Sequence, residues 1–261
     1  MADRTQVDRR FVAQASAFLS LRGIAKSFGA VRALDGVELD IGAGEVIGLM
    51  GDNGAGKSTL TKIIAGNFPP TQGQIVLEGA DVVFDRPAAA RDAGIEVMYQ
   101  DLAIAENLTA AANIFLGREM TRRVGPFRLL DHRGMNRRAG ELFRELKSET
   151  RSDDLVKQMS GGQRQAVAIA RTRLAQAKLV LMDEPTAAIS VRQVAEVLDL
   201  IRRLRDGGTA VMLISHRMPD VFGVCDRIAV LRRGVKVADK PAGATSAEEI
   251  TGLITGAIEA A

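Results

Sequence analysis

Cysteine occurs once in these 261 residues, at Cys225, and histidine twice, at His132 and His216. A single thiol excludes an internal disulfide, and so small a Cys/His set all but excludes a zinc site. Tryptophan is absent, tyrosine occurs once and phenylalanine nine times, too few aromatics for a platform that stacks single-stranded bases. No apolar run reaches the ~18 residues that crossing a bilayer requires. A strong excess of either charge is also missing. The 35 Lys+Arg stand against 32 Asp+Glu, a formal +3, which gives no electrostatic footprint of a nucleic-acid binder. What remains is ordinary globular composition, 46% apolar and 26% charged, in a chain long enough to bury a large core without cross-links.

Arg9-Arg10-Phe11 followed by Val12 to Leu21 faintly resembles a twin-arginine export signal. The apolar stretch is short and broken by Gln14, Ser16 and Ser20. The expectation is therefore a flexible leader over 1–17, a first strand from about Leu19, and a cytoplasmic protein.

Beyond it, short apolar runs bounded by glycine alternate with helical patterns. Glu45–Met50, Gln74–Leu77, Ile95–Tyr99, Lys178–Asp183 and Ala210–Ser215 read as strands. The last two are continuously apolar, as strands buried on both faces are. Lys57–Ala65 reads as a helix, and Val191–Arg205 as another with Val194, Leu198 and Ile201 on one face. The alternation predicts an α/β fold around a parallel sheet. Ile228–Leu231 and Val235–Ala238 read as a hairpin, and Ser246-Ala247-Glu248-Glu249 as a capping box. Segment 118–151 carries ten Lys/Arg against five acids. Solvated helix faces are the expectation there, ahead of a surface near anionic lipid headgroups or a membrane partner.

Gly51-Asp52-Asn53-Gly54-Ala55-Gly56-Lys57-Ser58 fits G-x-x-x-x-G-K-S, between a predicted strand and a predicted helix. Its glycines bring backbone N–H groups against phosphate oxygens, and the helix N-terminus adds partial positive charge. Lys57 can reach the β- and γ-phosphates, and the Ser58 hydroxyl can sit on Mg²⁺. Leu179 to Glu184 is a buried strand ending in two acids, Asp183 and Glu184, at the sheet edge where α/β proteins bind ligands. Asp183 can hold Mg²⁺ through its waters, and Glu184 can polarise an attacking water. Ser160-Gly161-Gly162-Gln163 opens a third predicted helix; plain N-capping by Ser160 is the bland alternative.

The ordered set GDNGAGKST (51–59), Tyr99-Gln100, Ser160 to Gln163, LVLMDEPT (179–186) and His216 resembles the ATP-binding cassette (ABC) ATPases, from about Leu19 to Leu253. The resemblance implies a P-loop NTPase fold of ABC type: a parallel central sheet, an antiparallel β-subdomain and a helical subdomain. One nucleotide-binding domain would span 18–261, with the helical subdomain inserted at about 101–164. ATP and Mg²⁺ are the implied ligands. The family's roles, carried over by position, put the phosphates on Gly51, Asn53, Gly54, Ala55, Gly56, Lys57 and Ser58, with Thr59 near the α-phosphate. Gln100 would touch Mg²⁺ and the reacting water, and Ser58 and Asp183 would share the ion. Glu184 would be the general base, and His216 would brace the γ-phosphate. Ser160, Gly161, Gly162 and Gln163 would meet the nucleotide of the opposite subunit. Phe28 would stack on adenine; its alternative is a core position. The usual Asp near the dimer contact is replaced by Ser190, which forms S-x-x-Q with Gln193 and keeps a helix cap.

Tyr99 to Ala103, Glu106 to Thr109 and Asn113 to Glu119 resemble the ATPases of ribose-, fructose- and xylose-type monosaccharide importers. With one phosphate-loop motif, the layout is most similar to the single-cassette fructose type. That resemblance implies an ATP-hydrolysing import subunit, peripheral on the cytoplasmic face of the inner membrane. Its partners would be a second copy of itself, transmembrane permease subunits and, indirectly, a periplasmic or extracellular sugar-binding protein, with no nucleic acid. An ABC ATPase for another solute is the alternative. A soluble ABC ATPase acting on DNA or the ribosome fits less well, because no long coiled-coil insertion is visible.

Overall fold

The computed structural model describes residues 17–98, 104–187 and 190–258. The expected leader lies outside the described residues except for Ala17, which begins the first strand.

A six-stranded sheet forms the centre. Its members are β3 (Val46–Met50), β6 (Ile95–Met98), β9 (Leu179–Asp183), β10 (Ala210–Ile214), β11 (Arg227–Arg232) and β12 (Val235–Pro241), in the order β12-β11-β3-β10-β9-β6. All neighbours pair in parallel except β12, which returns antiparallel on β11 as the expected hairpin. Successive side chains of a strand point to opposite faces. Leu179 and Leu181 accordingly join one apolar cluster, and Val180 and Met182 the other. On the first face lies α1 (Lys57–Ile64), burying Leu60, Ile63 and Ile64. On the second lie α6 (Val191–Asp206) and α8 (Ala247–Thr255), through Val197, Leu200, Ile201, Leu204, Ile250 and Leu253. Leu198 is only partly buried, so the inner face of α6 is turned slightly from the predicted one.

A four-stranded antiparallel sheet packs into the first cluster. It comprises β1 (Ala17–Phe28), β2 (Val31–Gly42), β4 (Gln72–Leu77) and β5 (Ala80–Val82), in the order β2-β1-β4-β5. Arg227 holds this sheet to the central one. Its guanidinium reaches Glu45 Oε1 and both Asp239 oxygens at 2.8 Å, and it donates to the Asp40 carbonyl. A short α2 (Pro87–Asp92) leads into β6. The segment after β6 builds a third cluster from α3 (Ala110–Ile114), α4 (His132–Glu145) and the first part of α5 (Gly161–Leu174). α7 (Met218–Val224) closes over β3. Gly48 permits that closeness, since a Cβ there would meet Val221 Cγ1 at 2.7 Å and Cys225 Sγ at 3.1 Å.

Two expectations need correction. Within 118–151, helix faces are found only in α4; residues 121–130 form a separate antiparallel hairpin of β7 (Thr121–Val124) and β8 (Phe127–Leu130). Their TRRV and FRLL runs lack an apolar period that would reveal strands. At the last helix only half of the capping box forms. Ser246 accepts from the Glu249 N–H, but the Glu249 carboxylate is turned to Lys240 and Thr245.

Cys225 is 7% exposed, and burial together with the Asp226 charge pushes its thiol up to about 12. Only the thiolate attacks an alkylating agent. Iodoacetamide at pH 8 is therefore expected to modify the native protein about a thousandfold more slowly than the urea-unfolded chain, with the rate rising as pH approaches the raised value. Mass spectrometry of quenched samples checks this; equal rates would mean that the thiol is open to solvent.

Candidate functional site

Three parallel strands end level. Ile214 of β10 pairs with Leu49 of β3 on one side and Asp183 of β9 on the other. The segments leaving these strands, 51–56, 184–187 and 215–217, therefore gather at one edge of the sheet, where strand ends and helix starts leave polar backbone groups open.

The first segment is a tight loop braced from outside. A Cβ on Gly51 would stand 2.3 Å from the Leu231 carbonyl oxygen, and one on Gly56 2.8 Å from that of Ala33. Gly56 also has φ 105°, so neither position accepts a side chain without movement. The β11–β12 turn supports the loop: Gly234 N–H donates to the Ala55 carbonyl (2.9 Å), and Asp35 N–H to that of Gly234 (2.8 Å). Asn53, Gly54 and Ser58 are exposed, Thr59 is half-buried, and α1 begins at Lys57 with no side-chain cap on its first N–H groups. Lys57 Nζ donates to the carbonyls of Gly51 (2.7 Å) and Asp52 (3.0 Å), which folds the ammonium over the loop.

The second segment carries the acids. Asp183 is half-buried, and its carboxyl is held above the ordinary range by desolvation and then by the Glu184 charge; Lys57 and Lys62 pull it partly back. That influence places Lys57 and Asp183 in one electrostatic neighbourhood. Glu184 has φ 50°, a left-handed conformation costly for a residue with a side chain, pinned by its N–H on the Ile214 carbonyl at 2.8 Å. His216 Nδ1 lies 2.9 Å from Glu184 Oε2, but the two are not aligned as a hydrogen bond, and that buried oxygen has no hydrogen-bond partner among the described residues. Hard oxygen donors, the Ser58 hydroxyl and the Asp183 carboxylate, suit Mg²⁺. Among the described residues no three His, Cys, Asp or Glu side chains converge on one point, so an ion here would need ligand oxygens as well.

Ser160, Gly161, Gly162 and Gln163 open α5. Ser160 and Gln163 form a complete capping box at the start of α5, with Gln163 N–H on Ser160 Oγ at 3.4 Å and Ser160 N–H on Gln163 Oε1 at 2.9 Å. Ser160 and Gly161 line a cleft of about 650 Å³ with Arg164, Pro185, Gln193 and Glu196. Residues of the loop 51–58 line a different cleft, with Arg232, Arg233 and the end of α8. Ser190 and Gln193 form the second complete capping box, as the S-x-x-Q pattern predicts. Phe28 is 48% exposed at the end of β1, edge-on to Phe68 at 5.4 Å, so it is not a core position. Gln100 lies outside the described residues.

Sequence reading missed Thr186, Arg217 and Asp220. Asp220, 3% exposed, accepts from Thr186 Oγ1 at 2.6 Å and meets Arg217 Nε at 3.1 Å. One buried carboxylate thus ties the segment after Glu184 to the segment after His216. The one available signal is an acid just before Val221 on an otherwise apolar α7.

A family model described as ABC transporter matches residues 34–187. The xylose/arabinose import ATP-binding protein XylG of Sulfolobus acidocaldarius is 46% identical over 92% of this chain and 94% of its own length. The fructose import ATP-binding protein FrcA of Rhizobium meliloti is 46% identical over 83% of this chain and 85% of its own. The ribose import ATP-binding protein RbsA of Burkholderia pseudomallei is 43% identical over 91% of this chain, which spans only 46% of that relative. Among solved structures, an ATP-binding cassette of an ABC transporter in its ADP conformation matches with a TM-score of 0.74 at 26% identity, over 92% of this chain and 95% of that one.

Asp220→Ala is expected to cost about 3 kcal/mol, because it strands a buried hydroxyl and a partly buried guanidinium. Urea unfolding measures this, and a double-mutant cycle with Thr186→Val should return a coupling of about 1 kcal/mol or more. Strict additivity would show that the two side chains do not act together.

Proposed function

The chain belongs to the ABC transporter family of ATP-hydrolysing cassettes, and from that premise we propose that it powers monosaccharide uptake through a separate membrane permease. The observation that carries this reading is the agreement of full-length kinship to sugar import subunits with a phosphate loop, an acid pair and a histidine gathered at one sheet edge. The sugar is of the ribose, fructose or xylose type. Residues 18–261 act as one nucleotide-binding domain, with a helical subdomain at about 101–164. The subunit sits peripherally on the cytoplasmic face of the membrane. A sugar-binding protein outside the membrane delivers the cargo to the permease.

ATP phosphates lie on the backbone of Gly51, Asn53, Gly54, Ala55 and Gly56 and on the first turn of α1. Lys57 exchanges the Gly51 and Asp52 carbonyls for β- and γ-phosphate oxygens, and Thr59 lies near the α-phosphate. Ser58, Asp183 and Gln100 would hold Mg²⁺, which when bound neutralises phosphate charge. Phe28 stacks on adenine, helped by its exposure. Glu184 accepts the proton of the attacking water. His216 steadies the γ-phosphate beside it.

Among the described residues, the cleft lined by Ser160 and Gly161 and the cleft lined by Asp52 to Ala55 are separate. In this reading two chains close head to tail, each nucleotide held between one loop and the other chain's α5 N-terminus. ATP binds the closed pair better than the open one, and cleavage removes that difference, which is the source of motion.

Glu184→Gln is expected to lower phosphate release by about a hundredfold or more while leaving ATP-driven dimerisation in place. Phosphate assay and light scattering measure the two; turnover at the parental rate would refute the general-base assignment. Phe28→Ala is expected to raise KM for ATP several-fold with kcat nearly unchanged, the pattern of lost uniform binding. An unchanged KM removes Phe28 from the adenine site.

A further inference from the structure

The β7–β8 hairpin has no place in the nucleotide chemistry. Thr121 pairs with Leu130, Arg122 with Leu129, Arg123 with Arg128 and Val124 with Phe127. Gly125, with φ 60°, opens its two-residue turn. Every described side chain of the two strands is exposed, Phe127 at 68%, Leu129 at 49% and Leu130 at 47%. Hairpins with neither face covered are marginal in water, and large apolar side chains in that setting mark a surface that meets something else.

Charge identifies what it meets. From Met120 to Leu130 there are three arginines and no acid. The flanking acids are engaged with backbone: Glu119 accepts from Gly117 N–H at 3.0 Å, and Asp131 caps α4 through Gly134 N–H at 2.9 Å. Arg122 and Arg123 form no ion pair among the described residues, and Arg128 donates only to Thr121 Oγ1. The Asp131 N–H on the Met120 carbonyl (2.8 Å) fastens the open end of the hairpin to α4, whose exposed Arg133 and Arg137 extend the same sign. Cross-strand partners share a face. One face thus carries Arg122 with Leu129 and Phe127, and the other Arg123 and Arg128 with Leu130. A protein groove would cover one of these mixed faces and leave the other bare. A lipid interface accepts both, since arginine stems lie along the apolar layer while guanidinium groups reach the phosphates.

We propose that the hairpin 121–130 is a membrane-surface anchor that binds anionic phospholipid headgroups. It rests on the peripheral-membrane reading above, but it needs no permease and no nucleotide, so the two can fail separately. Each arginine near an anionic surface is worth about fivefold in partitioning.

The test is sedimentation of the full chain with vesicles of phosphatidylcholine alone or with about 30% phosphatidylglycerol, at low and high salt. The expected result is binding only to the anionic vesicles, weakened by salt. The double variant Arg122→Glu/Arg123→Glu should lose at least about twenty-five-fold, and Phe127→Ser should bind several-fold more weakly with the same salt dependence. Circular dichroism and basal ATP turnover should be unchanged in both. Absence of binding to anionic vesicles, or equal binding by the double variant, overturns the proposal. So does loss of permease capture in detergent by the double variant with vesicle binding intact, which would assign the hairpin to a protein partner.

Discussion

The level ending of β3, β10 and β9 is the constraint on which the rest depends. Parallel pairing fixes it through consecutive partners on both sides of β10. A slip of one residue in either ladder would flip the strand's side chains between the two apolar clusters, so burial on both faces enforces the register. Nothing in the phosphate loop or the acid pair needs to recognise the other. The loop is carried to the edge by β3, held through the buried Val46, Ile47, Leu49 and Met50, and the acid pair by β9, held through the buried Leu179, Val180, Leu181 and Met182. The chemistry is held in place by packing that takes no part in it.

That division explains what sequence alone reveals. Strands β3, β9 and β10 are legible because double-sided burial writes continuous apolar runs, and the loop at 51–58 because close backbone approach admits only glycine at 51 and 56. The capping boxes at Ser160 and Ser190 are legible because their partners lie three residues away. Asp220 is not, because its hydroxyl partner is 34 residues distant and only the fold brings them together. The hairpin at 121–130 is not, because neither face is buried and no periodicity is imposed. Glu249 belongs with these. The local pattern favours a capping box, but Lys240 and Thr245, brought close by β12, take the carboxylate.

The edge holds tension as well as order. Glu184 occupies a left-handed backbone conformation, and one of its buried oxygens lacks a hydrogen-bond partner among the described residues. Asp183 beside it is driven toward its neutral form by burial and by the same Glu184. Both features are unfavourable in isolation. They persist because Ile214, Thr186, Asp220 and Arg217 fix the segments on either side. A strained acid pair is kept in place by packing around it, and a desolvated carboxylate gains from a nearby cation.

Ser160 opens a helix that bridges two apolar clusters. Its helix is capped from within, and α5 joins α3 and α4 through Ala166, Val167 and Ala170 while Ala168 and Ile169 tie it to the sheet's second face. The phosphate loop belongs to the first face, through Ala55 and Leu60. In the proposed head-to-tail pair, the two parts of the phosphate cage thus rest on opposite faces of the central sheet. Under the proposed pairing, a terminal phosphate held by one chain's loop and the other chain's α5 links the two, and its cleavage removes the link.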